Sequence, residues 1–433
     1  MVMIKVLKKY CKNEALIIFV IAFVVRITFT IILHNFTDLL SNGFYTSAAG
    51  EYRKITLSLL QGNGYAGYRD LNTPSAHHPP FYSVLILWPL WKTFGMGIFS
   101  QVLLQIIQGF ISSCTCILVF KLASKLFNRR IGIYAGIGYA LFPTAAYMSN
   151  EFHPISIFIF IYVLYVFMYH KIINRSYSNF DLILLSICSG LLLLIRTDIL
   201  VIVILFNIYL IRFIKLNKIA LVWLAFIIIV SPWLIRNYIT FDKIVLSSKF
   251  GLNLWKGQGE EASGYAYKFN GDRVRNRNIE SIKHDLELTN DLELRIDKLY
   301  LDATIKYLKK NPTSPIKLLP EKLFGFWVYD TYHPKANNII YKISYLILLF
   351  LFMIGLIRIC FNFKKEYFLL LIPIIFGTVL ISVFFTLPRY RMSIDQFVII
   401  IACYGFEYGF RYSLKLINNP PVSKRRISKK SAH

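Results

Sequence analysis

Stretches of about 20 apolar residues recur along this 433-residue chain and constrain its fold more than any other feature. A helix of about that length crosses the hydrocarbon core of a bilayer. The chain is 56% hydrophobic, and a soluble domain of this size has too little interior to hide that much apolar surface. The sequence therefore predicts an all-α integral membrane protein.

Basic residues between the apolar stretches assign an orientation. The net charge is +26, and much of the excess lies in short loops and in the tail that contains Lys424, Arg425 and Arg426. Cytoplasmic loops are enriched in Lys and Arg, which predicts about ten transmembrane helices in one consistent orientation. Residues 35–99 and 236–337 then both lie on the outer face. No basic stripe on a soluble domain is evident, so no nucleic-acid partner is expected.

Three regions follow from this scheme. The first is an N-terminal transmembrane module, 1–235, with a catalytic first outer loop at 35–99. The second is an outer-face loop region, 236–337, and the third is the C-terminal transmembrane helices with a basic cytoplasmic tail, 338–433.

Two segments are expected to form juxtamembrane helices on the outer face. Residues 79–95 are apolar and Trp-rich. If they crossed the membrane, every later loop would lie on the opposite side from the one its charge predicts, so they are predicted to lie in the membrane interface. Residues 277–310 carry charges with interleaved leucines and precede Asn311-Pro312, which predicts amphipathic helix.

Polar residues gather at the outer ends of the predicted helices. Carboxylates can serve as general bases, and guanidinium groups suit phosphate oxygens. Each of these residues also has a simpler explanation, because outer helix ends are hydrated. The candidate catalytic residues are Glu51, Glu151 and Asp38. The candidate substrate-binding residues are His77, His78, Arg196, Asp198, Arg236, Asn237, Arg389, Tyr390 and Arg391.

The adjacent pair His77-His78 raises the question of a metal. The residues predict a polar surface or a phosphate contact more readily than a metal site, because no third ligand has suitable spacing. No metal ligand is therefore assigned, and the use of a divalent metal stays open.

Several short strings occur in an order that resembles a known superfamily. They are Gly62-Asn63-Gly64-Tyr65, Pro79-Pro80-Phe81-Tyr82, Pro232 to Tyr238, Gly251 to Trp255, and Arg389-Tyr390-Arg391 with Asp395. Together they resemble the GT-C superfamily of polytopic glycosyltransferases. The most similar branch contains the protein O-mannosyltransferases and the aminoarabinose transferase of lipid A.

The resemblance implies a GT-C-like fold and transfer of a sugar from a polyprenyl-phosphate carrier. The acceptor would be a glycan, lipid or protein outside a bacterial cytoplasmic membrane. Relatives use an acidic residue in the first outer loop and another in the next, which Glu151 matches in position. Where many relatives have Asp, this chain has Ala48 and Ala49, so Glu51 is taken as the substitute and Asp38 as its rival.

Two other functions are compatible with the sequence. A transporter or flippase of lipid-linked saccharides should carry ionisable groups or helix breaks near the membrane midplane. The predicted spans are nearly free of charge at their centres apart from Arg26, which favours the enzyme. The missing first-loop Asp keeps a non-catalytic relative open.

Overall fold

The computed structural model describes residues 2–36, 48–67, 70–268, 270–283, 285–333, 336 and 338–418. The candidate Asp38 lies outside these residues. The described helices are α1 (Val2–Phe36), α2 (Ala48–Leu60), α3 (Trp88–Phe94), α4 (Ile98–Leu126), α5 (Arg129–Leu141), α6 (Pro143–Met148), α7 (Ile155–Ile173), α8 (Asn179–Ile195), α9 (Leu200–Tyr209), α10 (Leu216–Phe241), α11 (Phe250–Gln258), α12 (Arg277–Ile282), α13 (Leu292–Lys310), α14 (Ser314–Trp327), α15 (Ile339–Phe361), α16 (Phe368–Val383) and α17 (Pro388–Asn418).

The prediction of an all-helical, multi-span membrane protein is confirmed. Within the described ranges, six segments are long and apolar enough to cross a bilayer. They are Asn13–Ile32, Ile98–Leu126, Ile155–Ile173, Leu216–Phe241, Ile339–Phe361 and Lys365–Val383. The other predicted crossings fall on helices that are shorter or carry more charge, among them α5 with α6, α8, α9 and α17.

Helix α4 forms the centre of the N-terminal helices and positions the second outer loop. It packs against α1, α5 and α7. Two buried glutamines on its surface donate to backbone carbonyls of that loop. Gln105 reaches Asn150 at 3.1 Å, and Gln108 reaches Glu151 at 2.9 Å. These bonds pair carbonyl groups that would otherwise be buried without partners.

Arg26, the charge near the centre of α1, has an internal structural explanation. Its guanidinium donates to Ser112 Oγ at 3.0 Å and to the Ala140 carbonyl oxygen at 2.7 Å. Ala140 lies in the last turn of α5, where carbonyl groups lack partners within the helix and the helix dipole favours a cation. Arg26 therefore binds the end of α5.

The outer segment, defined as residues 236–337, holds α11 to α14. The helix predicted over 277–310 is present only as α12 and α13, because the described residues between Ile282 and Leu292 are not helical. Directly before α13, the Thr289 hydroxyl donates to Asp291 Oδ1 at 2.8 Å, and the Leu292 amide donates to the Thr289 carbonyl oxygen at 3.1 Å, which forms a turn. Trp255 of α11 and Tyr300 of α13 belong to the small apolar core beneath them.

The interfacial segment 79–95 is also helical. A wide π-helical turn, Phe81–Leu87, continues into α3, and Gly95, with φ +71°, ends it. Trp91 is buried and stacks on Phe152 of the second outer loop, with 5.5 Å between ring centroids. This segment therefore packs against the protein along one side.

Candidate functional site

Three of the strings singled out in the sequence meet in space. Gly62 and Gly64, with φ of +82° and +76°, end α2 in the turn that was predicted there. The Tyr65 hydroxyl then donates to the His78 carbonyl oxygen at 2.9 Å. The Tyr65 ring meets Trp233 of α10 edge-on, with centroids 5.0 Å apart. These contacts fix the loop that carries the two histidines.

Glu51 contacts both histidines of the first outer loop. It lies in the first turn of α2. Its Oε2 atom is 2.6 Å from His78 Nε2 and 3.5 Å from His77 Nε2. In the described part of the chain the Glu51 side chain is 44% exposed, whereas that of His78 is 6% exposed. The histidines therefore hold the Glu51 carboxylate on its buried side, and the Glu51 side chain remains partly exposed.

His77 lies between two carboxylates. Its Nδ1 atom is 3.3 Å from Oε1 of the buried Glu293. Burial lowers the pKa of His77, but Glu51 and Glu293 outweigh it and raise the pKa to about 9. Burial also opposes ionisation of Glu51, yet the charge of His77 and hydrogen bonds from both histidines hold the Glu51 pKa well below its usual value. At neutral pH a charged His77 faces an ionised Glu51.

Lys249 sets the state of the second histidine. Its Nζ atom lies 3.0 Å from His78 Nδ1. Burial and the charge of Lys249 lower the pKa of His78 to about 3. A neutral ring that accepts from Lys249 at Nδ1 carries its proton on Nε2, so it donates to Glu51. Burial also lowers the pKa of both Lys249 and Lys256 to about 8.

Aromatic and charged groups form the adjoining wall. Tyr52 stacks on His78, with centroids 4.2 Å apart, and His153 meets Tyr52 edge-on. Arg196 pairs with Asp198, 3.0 Å from Nε to Oδ1. The Arg196 guanidinium also lies 5.5 Å from the centre of the Tyr390 ring. Arg196, Asp198 and Tyr390 line a small, mostly apolar cavity between α7, α9, α16 and α17.

Glu151 occupies the neighbouring loop. Its carboxylate accepts a hydrogen bond from the Tyr147 hydroxyl, and its main chain is fixed by Gln108. Glu151 acts electrostatically on Tyr82, whose ring meets Tyr52 at 5.1 Å between centroids. Aromatic side chains thus link the second candidate acid to the Glu51 side of the site.

Three other predicted substrate-binding residues, Arg236, Asn237 and Arg391, bind carbonyl oxygens or a carboxylate elsewhere in the protein. Arg236 donates to the Ser75 carbonyl oxygen at 2.7 Å, and Asn237 donates to that of Val245, also at 2.7 Å. Arg391 is 2% exposed and binds Asp395 at 3.2 Å. Arg389 is half-buried and acts electrostatically on Tyr52, Lys249 and Lys256. Of the two arginines at the start of α17, Arg389 is therefore the one that interacts with the residues around Glu51.

Glu51, His77 and His78 are also candidate metal ligands, because one atom of each lies within 4.8 Å of the others. Glu293 at Nδ1 would orient His77 as carboxylates orient metal-bound histidines. His78 fits less well. A metal on its Nε2 would place the ring proton on Nδ1, against the ammonium group of Lys249. A complete site therefore requires Lys249 to move away from His78.

The site also contains three residues that were not predicted from the sequence, Glu293, Lys249 and Lys256. Glu293 is 1% exposed and accepts from the Ala76 amide at 2.7 Å, across 217 residues of chain. No local pattern separates it from the other charges of the outer segment. The two lysines did carry a signal, because they flank the string Gly251 to Trp255 seven residues apart, a spacing that places them on one helix face.

Part of the chain matches a protein family. Residues 77–235 match the family described as dolichyl-phosphate-mannose-protein mannosyltransferase. This range includes His77, His78, Glu151, Arg196 and Asp198. A search of curated protein sequences finds no match. The predicted resemblance to membrane glycosyltransferases of the GT-C kind is confirmed, and the predicted enzyme class is that of the matched family.

Solved structures share the fold. The archaeal oligosaccharyltransferase AglB from Archaeoglobus fulgidus, in complex with an inhibitory peptide and a dolichol-phosphate, aligns at 14% identity and TM-score 0.55 over 94% of this chain and 51% of its own. The apo form of the Archaeoglobus fulgidus oligosaccharyltransferase aligns at 12% identity and TM-score 0.52. The alignment covers 93% of this chain and 52% of the oligosaccharyltransferase chain. The chain thus spans about half the length of that enzyme. ArnT from Cupriavidus metallidurans, bound to undecaprenyl phosphate, aligns at 12% identity over 82% and 72%, but with a TM-score of only 0.38.

Proposed function

We propose that this membrane protein, which resembles the dolichyl-phosphate-mannose-protein mannosyltransferase family over residues 77–235, transfers a sugar from a polyprenyl-phosphate carrier. The acceptor is a hydroxyl-bearing glycan, lipid or protein at the outer face of a bacterial cytoplasmic membrane. The observation that carries the proposal is the ionised Glu51, held by His77 and His78 beside a cluster of cationic side chains.

The reaction needs a base and a stabilised leaving group. The acceptor hydroxyl attacks the anomeric carbon, and its proton passes to Glu51. The bond between that carbon and the phosphate oxygen breaks, and its electron pair stays on the phosphate. The lowered pKa keeps Glu51 ionised, although it makes the residue a weak base. Arg389 is placed to stabilise the negative charge that develops on the phosphate.

The lipid chain of the donor needs an apolar path. The small cavity beside Arg196 and Tyr390 has Ile202, Phe376 and Leu380 among its walls. We assign it to the isoprenoid units nearest the phosphate, since lipid sites combine apolar walls with a few placed polar groups.

The same proposal includes the arrangement in the membrane. Ten crossings, with the first outer loop and the outer segment on the same side, place Glu51, Glu151 and Lys249 together outside. In this arrangement the outer segment, and not the membrane-spanning helices, supplies the contacts that determine acceptor specificity.

The decisive experiment measures sugar transfer in proteoliposomes. A panel of polyprenyl-phosphate sugars is offered with a membrane glycolipid extract, and the wild type is compared with Glu51→Gln, Asp38→Asn and Glu151→Gln. Removal of the base is expected to reduce transfer by roughly 100-fold or more, so Glu51→Gln should show the largest loss. Glu151→Gln tests the second acid.

Other outcomes discriminate the alternatives. A loss confined to Asp38→Asn would keep the transferase and move the base. No transfer with any donor, together with carrier movement between leaflets that survives all three substitutions, would favour the flippase. Transfer that a chelator abolishes and a divalent cation restores would show that the reaction uses a metal, for which Glu51, His77 and His78 are the candidate ligands.

A further inference from the structure

Two lysines of the outer segment face the site without a carboxylate partner. Lys249 immediately precedes α11, and Lys256 lies in its last turn. Both act electrostatically on Glu51. Within the described part of the chain, neither ammonium group lies within 4.0 Å of a carboxylate oxygen.

Helix α11 holds these lysines in fixed positions. Asp297 of α13 accepts from the amides of Gly251 and Leu252, at 3.0 and 2.9 Å, at the beginning of α11. At the other end, a Cβ atom on Gly257 would lie 2.2 Å from the Phe384 carbonyl oxygen, so α11 touches the end of α16 directly. The backbone positions of the two lysines are therefore fixed, so only their side chains need to rearrange to bind an anion.

The charges around Glu51 leave a positive surplus. Arg196 and Asp198 form an ion pair, and His77 is flanked by Glu51 and Glu293. Lys249, Lys256 and Arg389 are further cations that act on one another electrostatically, and Arg273 also acts on Lys256. Partly buried cations that lack carboxylate partners are costly unless an anion joins them. This cluster predicts an anionic ligand with more than one negative charge.

Resting on the proposed function, we infer that Lys249 and Lys256 bind the phosphate of the lipid carrier and stabilise it most strongly as it leaves. In the donor the phosphate is a diester with one negative charge. When the sugar is transferred, the phosphate keeps the electron pair of the broken bond, and the released polyprenyl phosphate can carry two. The lysines therefore match the charge that develops in the transition state, which accelerates the reaction.

Equilibrium binding tests this assignment without requiring turnover. The purified full-length protein in lipid nanodiscs is titrated with undecaprenyl phosphate and with the neutral alcohol undecaprenol. The wild type should bind the phosphate roughly tenfold more tightly or better, as expected for a charge-assisted contact. Lys249→Met and Lys256→Met should each lose most of that preference, while binding of undecaprenol stays unchanged. Lys306→Met, at an exposed position of α13, should behave as the wild type.

Thermal unfolding separates a binding defect from a folding defect, and Lys249→Gln and Lys256→Gln replace any methionine variant that unfolds. A wild type without preference for the phosphate would overturn the inference, as would lysine variants that retain it. Lysine-dependent phosphate binding without sugar transfer would refute the transferase proposal, but it would support the phosphate-binding site at Lys249 and Lys256. Where transfer occurs, the lysine variants should lose kcat more than donor affinity.

Discussion

Arg389 and Arg391 lie two residues apart at the start of α17, yet their surroundings differ. Arg391 donates to the Phe326 carbonyl oxygen at 2.9 Å, and its Nε lies 3.2 Å from Asp395 Oδ1. The Tyr345 hydroxyl completes the network by donating to Asp395 at 2.6 Å. Arg391 therefore ties α17 to α14 and α15, whereas Arg389 faces the site.

This difference predicts opposite phenotypes. Arg391→Met leaves Asp395 buried without its cation and should lower the free energy of unfolding by about 3–5 kcal/mol. Arg389→Met should leave stability nearly unchanged and weaken binding of undecaprenyl phosphate. Thermal unfolding in detergent and lipid binding measure the two effects separately. If Arg391→Met unfolds at the wild-type temperature but loses lipid binding, then Arg391 belongs to the site, as its sequence context suggested.

Lys322 offers a test of stability against pH. Its side chain is fully buried in α14 and donates to the Ser382 carbonyl oxygen at 3.0 Å. Burial lowers the pKa of Lys322 from 10.5 to about 8. The unfolded chain holds this proton up to pH 10.5, so between pH 8 and 10.5 the unfolded state binds more protons. Stability should therefore rise with pH across that window, and the penalty is fully present below pH 8.

Lys322→Met removes the penalty. The variant should be more stable than the wild type at pH 7, by about 1–2 kcal/mol after loss of the hydrogen bond. The difference should shrink as the pH approaches 10. Lys298→Met, exposed on α13, is the matched control and should show neither effect. A Lys322→Met protein that is less stable than the wild type at pH 7 would refute this account.

At the scale of elements, α15 and α17 approach each other closely through glycines. A Cβ atom on Gly355 would lie 2.0 Å from the Ile401 carbonyl oxygen, and one on Gly405 would lie 2.4 Å from that of Leu351. Small residues allow backbones to meet in a membrane, where dispersion and weak hydrogen bonds replace the hydrophobic effect as the driving force. These glycines set how closely α17 lies against α15.

Gly355→Ala should force the two helices apart and lower the unfolding temperature, with a cost of about 1–3 kcal/mol. Gly409→Ala, in the partner helix α17, is the control, because a methyl group there meets no heavy atom within 4 Å among the described residues. Alanine favours helix, so that variant should be as stable as the wild type or slightly more so. Equal unfolding temperatures for both variants would show that α15 and α17 are not in direct contact.

At the scale of the whole molecule, the outer segment determines the site as much as the spans do. Glu293, Lys249 and Lys256 all come from it, and they meet residues of the first outer loop more than 150 positions earlier, such as His78, which lies 171 residues before Lys249. The site therefore requires both regions on the same side of the membrane.

Cysteine labelling in intact cells tests this arrangement. The natural Cys360 is exposed at the end of α15, near Lys364 and Lys365, and the positive-inside rule places it in the cytoplasm. In a background with Cys11 replaced by serine, an impermeant maleimide should label Asn270→Cys in the outer segment and leave Cys360 unlabelled until the membrane is opened. Labelling of Cys360 from outside would invert the orientation and place Glu51 in the cytoplasm.

The sequence by itself determined that this is an all-α, multi-span membrane protein with a GT-C resemblance. The spans are defined by local apolar length, so they can be recognised along the chain, whereas local charge gives a prediction of the orientation. The sequence also selected Glu51, His77 and His78, because the first outer loop concentrates them.

Only the tertiary structure decided which polar residues share a site. It brought Glu293 to His77 and Lys249 to His78, and it turned Arg391 inward while Arg389 stayed at the site. Such contacts join residues far apart in sequence, and their outcome depends on how helices pack and which side chains lose water. Local pattern carries no record of either. The charge of each group, and with it the chemistry, was therefore decided by burial and by its neighbours.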